Sequence, residues 1–191
     1  MKHRFTIVKP IAASLSNVIA NYLDIEHIPV HPNLTDVEIL SETDTVVCFR
    51  MTSRILGIPV TNVHYFEYRP PHQVLQIIKS PLGPMVVLST ARELNSGTPQ
   101  VLTEVTVETE LDLPGWAWPL RHLLERILRA SNQRVLDEDL QILLRRQART
   151  GDYIEDYLRP GQPLMCKEAF RNAFSRRGSA TEPEPAAPPA G

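Results

Sequence analysis

The stretch Val101-Leu102-Thr103-Glu104-Val105-Thr106-Val107-Glu108-Thr109-Glu110-Leu111 decides how this chain folds. Val101, Thr103, Val105, Val107, Thr109 and Leu111 fall on one face, and Glu104, Thr106, Glu108 and Glu110 fall on the other. Successive side chains of a strand point to opposite sides, so this alternation describes one buried face and one wet face. A sheet wet on one side is antiparallel by habit. The same period of two extends back to about Leu34. Val37–Ile39, Val46–Phe49, Val63–Tyr68, Val74–Ile78 and Val86–Leu88 are candidate strands, separated by Pro, Gly, Asn and Asp. Short turns between sequential strands imply a meander.

The segments flanking this sheet read differently. Phe5 and Ile7 mark a first strand ending at Pro10. Ile11, Leu15, Val18, Ile19, Tyr22 and Leu23 then recur at helical spacing, with Ser14 and Ser16 both compatible with the helix start. Pro29 and Pro32 disturb any continuation, which makes the region of His27 and His31 a helix end followed by a turn. Beyond the sheet, Pro114 and Pro119 bracket Trp116 and Trp118, and a long helical stretch runs to about Arg149. Its first stripe is Leu120, Leu123, Leu124, Ile127 and Leu128, and a kink is expected near Ser131 before Val135, Leu136, Ile142 and Leu143 restart it. Lys167 to Arg177 reads as a short basic, solvated helix. The stretch from Gly178 onward is rich in Pro, Ala and Glu and is expected to be disordered. The expected organisation is a domain over 1–150, a helical extension over 151–177 and a tail over 178–191.

Composition narrows the classes. The chain has 191 residues, 42% hydrophobic and 22% charged, with a net charge of −2, which is ordinary for one globular domain and offers no basic face for nucleic acid. Cys48 and Cys166 cannot build a disulfide framework, and two cysteines fit a reducing compartment. Met1-Lys2-His3-Arg4 leads into an alternating segment, so no signal peptide is expected. No apolar run reaches the roughly 18 residues of a membrane span. The expectation is a cytoplasmic protein with no integral membrane segment and no nucleic-acid partner.

Strand, helix, about six antiparallel strands and one long helix is an element order that looks like the helix-grip fold of START-like and polyketide-cyclase-like (SRPBCC) proteins. This is an α+β fold in which a curved antiparallel sheet wraps a long C-terminal helix. The resemblance implies an internal cavity that takes a hydrophobic small molecule.

Asn21-Tyr22-Leu23-Asp24-Ile25-Glu26-His27-Ile28-Pro29-Val30-His31 concentrates polar chemistry on an otherwise apolar segment. Asp24 and His27 are three apart and His27 and His31 four apart, spacings that bring side chains to one side of a helical turn. Two imidazoles and a carboxylate with open positions suit a divalent transition metal. Asp139 is a third candidate, because its helical neighbours Val135, Leu136, Ile142 and Leu143 are all apolar. A carboxylate in an apolar stripe needs a partner. An arginine on a facing strand (Arg50, Arg54 or Arg92) would serve equally well.

Asn-x-x-Asp-x-x-His followed by His, and much later Glu138-Asp139 ahead of Gln147, resembles the catalytic domain of Rieske-type ring-hydroxylating oxygenases. The resemblance implies His27, His31 and Asp139 as ligands of a mononuclear Fe(II), and Asp24 as a link to a neighbouring cluster. Only Ile28, Pro29 and Val30 separate the histidines, one residue fewer than is usual there, and the Cys/His pairs of a Rieske cluster are absent from the sequence. Binding of a hydrophobic small molecule therefore stands first. An iron oxygenase component fed by a separate electron donor is the alternative, as is a metal-free cyclase-like enzyme using Asp24 or His27 as acid or base. On the strand side, His64 shares a face with Asn62, Phe66 and Tyr68. His64, Phe66 and Tyr68, with Trp116 at the entrance to the long helix, are the candidate ligand-binding residues.

Overall fold

The computed structural model describes residues 1–24, 34–55, 57–80, 83–94, 101–150 and 165–175. Seven strands form one antiparallel sheet: β1 (Lys2–Ile11), β2 (Leu34–Glu42), β3 (Val46–Ile55), β4 (Ile58–Arg69), β5 (Gln73–Ser80), β6 (Gly83–Glu93) and β7 (Thr103–Asp112). Helix α1 (Leu15–Leu23) follows β1, a 3₁₀ turn (Gly115–Leu120) leads from β7 into α2 (Arg121–Thr150), and α3 (Lys167–Ser175) comes last. The strand order is β1-β7-β6-β5-β4-β3-β2. Strands β2 to β7 are the expected meander, and β1 pairs with β7 from Lys2 opposite Asp112 to Ile11 opposite Thr103.

The alternation in β7 holds: Thr103, Val105, Val107, Thr109 and Leu111 are buried. They share the inner face with Phe5, Ile7 and Ile11 of β1, Val87 and Ala91 of β6, and Phe49 and Met51 of β3. Val18, Ile19, Ala20 and Leu23 of α1 join the same core. The first strand runs through Pro10, which lies opposite Glu104. An edge strand tolerates proline where the missing N–H would face away from the sheet. Of the two candidate serines, Ser14 caps α1, its Oγ accepting from the Asn17 N–H at 3.3 Å. The other edge, β2, is mostly exposed, and its register shifts twice, near Asp36 (φ 55°) and near Ile39. Such irregularities blunt an edge against pairing with another chain.

Three expectations need correction. Helix α2 is continuous through Ser131 with no break there. Ser131 and Gln133 are exposed, so their weak helix propensity costs only a fraction of a kcal/mol while the hydrogen-bond ladder continues. The stripe at the start of α2 is also not a buried face: Leu120 and Leu123 are exposed, and burial is complete only for Leu136, Asp139 and Leu143 among its described side chains. Finally, α3 is not a solvated helix. Phe170 and Phe174 are buried in the main core together with Met165 and Cys166, and the Met165 N–H donates to the Leu23 carbonyl at the end of α1 at 2.7 Å. The spacing Phe170/Phe174 puts both rings on one face, and the charged residues occupy the other. The tail beyond 175 lies outside the described residues.

Gly83 starts β6 at a point no side chain can occupy. Its φ is +112°, and a Cβ there would lie 2.2 Å from the Asp112 carbonyl oxygen. Glycine therefore allows β6 to enter beside the end of β7.

Candidate functional site

Every second residue of β4 points inward, which buries Asn62, His64, Phe66 and Tyr68 on one face as the alternation predicts. Phe49 of β3 lies directly opposite His64, and the two rings stack with centroids 5.0 Å apart and planes 10° off parallel. On the other side Gln76 of β5 reaches His64 Nδ1 at 2.9 Å. With the amide nitrogen donating, Nδ1 accepts and Nε2 carries the proton. Burial lowers the His64 pKa to about 4, so the ring is neutral at physiological pH. Asn62 donates to Ser53 Oγ at 3.0 Å. The buried atoms His64 Nε2, Asn62 Oδ1 and Thr109 Oγ1 have no hydrogen-bond partner among the described residues. A donor, an acceptor and a hydroxyl are thus left on the inner face of the sheet.

A second polar group sits where α1, β6 and α2 meet. Tyr22, on α1, shares a hydrogen bond with Ser89 of β6 and feels the charge of Asp139 on α2. Burial, opposed by the Ser89 contact and reinforced by Asp139, pushes the Tyr22 hydroxyl up to about 12, so it remains a neutral phenol. Asp139 is buried, as its apolar neighbours in sequence imply. The arginines offered as partners are elsewhere: Arg50 pairs with Glu38 and Arg92 with Glu104 on the exposed face, and Arg54 is exposed too. They occupy the strand positions that alternate with the inward ones, so they point away from α2. Asp137, round the helix from Asp139, is exposed and pairs with Lys9.

The other candidates separate. Asp24 is the C-terminal cap residue of α1 and is buried. His27 and His31 lie outside the described residues. Trp116 is 67% exposed and lines an open surface pocket with Met1, Pro84 and Leu113. Trp118 instead packs against the core under the Arg121 guanidinium. Sequence reasoning missed Gln76, Ser89 and Tyr22. The signal for the first two was present: each is a polar residue in the inward register of a strand, between Val74 and Ile78 or between Val87 and Ala91.

The class defined by this architecture is the helix-grip α+β fold, a seven-stranded antiparallel sheet with a long C-terminal helix. Solved structures share it. The chain is similar to the ZhuI aromatase/cyclase from Streptomyces sp. R1128, with a TM-score of 0.66 and 16% identity over 81% of this chain and 100% of that one. Ara h 8.0201 follows with a TM-score of 0.63 and 12% identity, covering 75% and 99% of the two chains. A START superfamily protein from Mycobacterium smegmatis gives a TM-score of 0.61 and 14% identity, covering 75% and 98%. No protein-family model and no curated protein matches the chain. No helix among the described residues is long and apolar enough to cross a membrane.

Proposed function

We propose that the concave face of the sheet binds an apolar, oxygen-bearing small molecule, most naturally an aromatic one. The observation that carries this reading is the pairing of His64 Nε2 and Asn62 Oδ1, buried and without partners among the described residues, beside the stacked Phe49–His64 rings. Buried polar atoms are nearly always hydrogen-bonded. An adjacent donor and acceptor match a hydroxyl or carbonyl on a ligand, and the flat ring pair suits an aromatic body. The likeness to an aromatase/cyclase and a START superfamily protein supports the same ligand class. A ring that stays neutral down to about pH 4 orients a ligand by hydrogen bonding and is a weak proton donor at pH 7. The reading is therefore of binding first.

The test is titration with a polyhydroxylated aromatic fluorophore, monitored by its emission. Wild type is expected to bind it, and His64→Leu to bind it on the order of tenfold more weakly through loss of one hydrogen bond. Equal affinity in both proteins sinks the assignment of His64.

A second reading keeps the mononuclear iron site of His27, His31 and Asp139. It is favoured by the burial of the Asp139 carboxylate on α2, close enough to raise the pKa of Tyr22 on α1. Bound there, iron would supply oxygen chemistry using electrons from a separate donor. Anaerobic Fe(II) titration of a His122→Ala background, which removes a second histidine-carboxylate cluster of the fold, should then give near-stoichiometric binding that adding Asp139→Asn abolishes. Binding that survives Asp139→Asn rejects this site.

A further inference from the structure

Away from the concave face, three metal-ligating side chains converge where β1 meets the start of α2. His3 Nε2 donates to Glu125 Oε2 at 2.8 Å. His122 Nδ1 lies 3.9 Å from the same oxygen. All three ligand atoms lie within 4.8 Å of one another. His122 and Glu125 are one helical turn apart, and His3 approaches from the neighbouring strand with its ring edge-on to His122 at 5.5 Å. We propose that His3, His122 and Glu125 form a divalent transition-metal site, of the zinc type, that ties the first strand to the long helix.

The chemistry and the support around the ligands both fit. Two imidazoles and one carboxylate are a common zinc donor set, with a fourth position left for water. Bond lengths of about 2.0–2.2 Å require ligand atoms a little over 3 Å apart. The His3–Glu125 pair, at 2.8 Å, would open by a few tenths of an ångström as an ion replaces the shared proton, and His122 would close in from 3.9 Å. Its side chain is 68% exposed, so it is free to turn. Arg129 fixes the orientation of Glu125. Its Nε donates to Oε1 at 2.8 Å, while an Arg129 Nη donates to the Thr6 carbonyl at 2.7 Å. That clamp leaves Oε2 as the ligand atom, the kind of outer partner that orients metal-binding carboxylates.

The experiment uses the full chain, prepared without a histidine tag. Zn(II) is titrated in competition with a chromophoric chelator, and Co(II) is added separately to read coordination by visible absorption. One equivalent is expected, with the intense bands of a four-coordinate Co(II) site. Affinity should fall at least about tenfold in His122→Ala. His122 is exposed, so that variant should fold normally, and circular dichroism checks it. Zn(II) should also raise the melting temperature of wild type and not of His122→Ala. A His27→Ala/His31→Ala variant should keep full affinity. Unchanged affinity in His122→Ala, loss of affinity in the His27/His31 variant alone, or no binding by wild type would each overturn the site.

Discussion

Truncating Phe170 to alanine should lower the unfolding free energy by about 3–5 kcal/mol, the range for deleting a fully buried aromatic ring. Phe170 is 0% exposed, and its ring lies 4.8 Å from that of Phe174. Both belong to the same core as Phe49, Phe66 and Val105. The loss therefore falls on the whole fold, because α3 has no core of its own to sacrifice. Urea unfolding should show a lower midpoint with a single transition. Glu168→Ala, which breaks only the exposed pair with Arg171, should change stability by less than about 1 kcal/mol. If Phe170→Ala matched Glu168→Ala, α3 would be a loose appendage and the packing described for it would be wrong.

Acidification should expose His64. Its folded pKa is lowered from 6.5 to about 4 by burial, so the unfolded chain binds the proton more tightly than the native one. Between those two values the unfolded state carries more protons, and stability must rise with pH. The contribution is fully present above about pH 6.5 and is lost as pH falls toward 4. A shift of this size corresponds to about 3 kcal/mol. Since other groups titrate in the same window, the quantity to measure is the difference between wild type and His64→Phe, which keeps a ring against Phe49. Unfolding free energies at a series of pH values should converge or cross as pH drops, with the variant losing less. Parallel curves would mean that His64 is hydrated and not held neutral by burial.

Much of this architecture is written in local pattern. The alternation in β7 and β4 fixes which side chains face inward, because a strand has a period of two and the sheet has only one apolar side to cover. Asp139 stands out for the same reason: its neighbours on the helix leave it no polar side. What sequence alone conceals is long-range. Nothing local to Lys167–Ser175 says that its two phenylalanines find the main core, since a basic amphipathic helix reads equally well as a free surface element. The expected kink at Ser131 fails because a polar tetrad facing solvent does not interrupt a helix anchored further along. The cluster of His3 with His122 and Glu125 joins residues far apart in the chain and has no sequence signature. His64 is the opposite case, visible by register, although the burial that keeps it neutral comes from the packing of the whole sheet face and not from its own strand.

The pairing of β1 with β7 also constrains the order of events during synthesis. The amino group of Met1 bonds to Asp112 across a separation of 111 residues, at 3.0 Å, and to the Leu113 carbonyl at 2.8 Å. Strands β2 to β6 each find their partner next door, but β1 precedes all of them in the described sheet and must wait for β7 to leave the ribosome. Until then its apolar residues Phe5, Ile7 and Ile11, and the open inner face of the meander, have no cover. Contacts between distant segments form slowly because loop closure comes before the gain from pairing. The nascent chain is consequently most exposed to aggregation, and most in need of a chaperone, in the interval before residue 112 emerges.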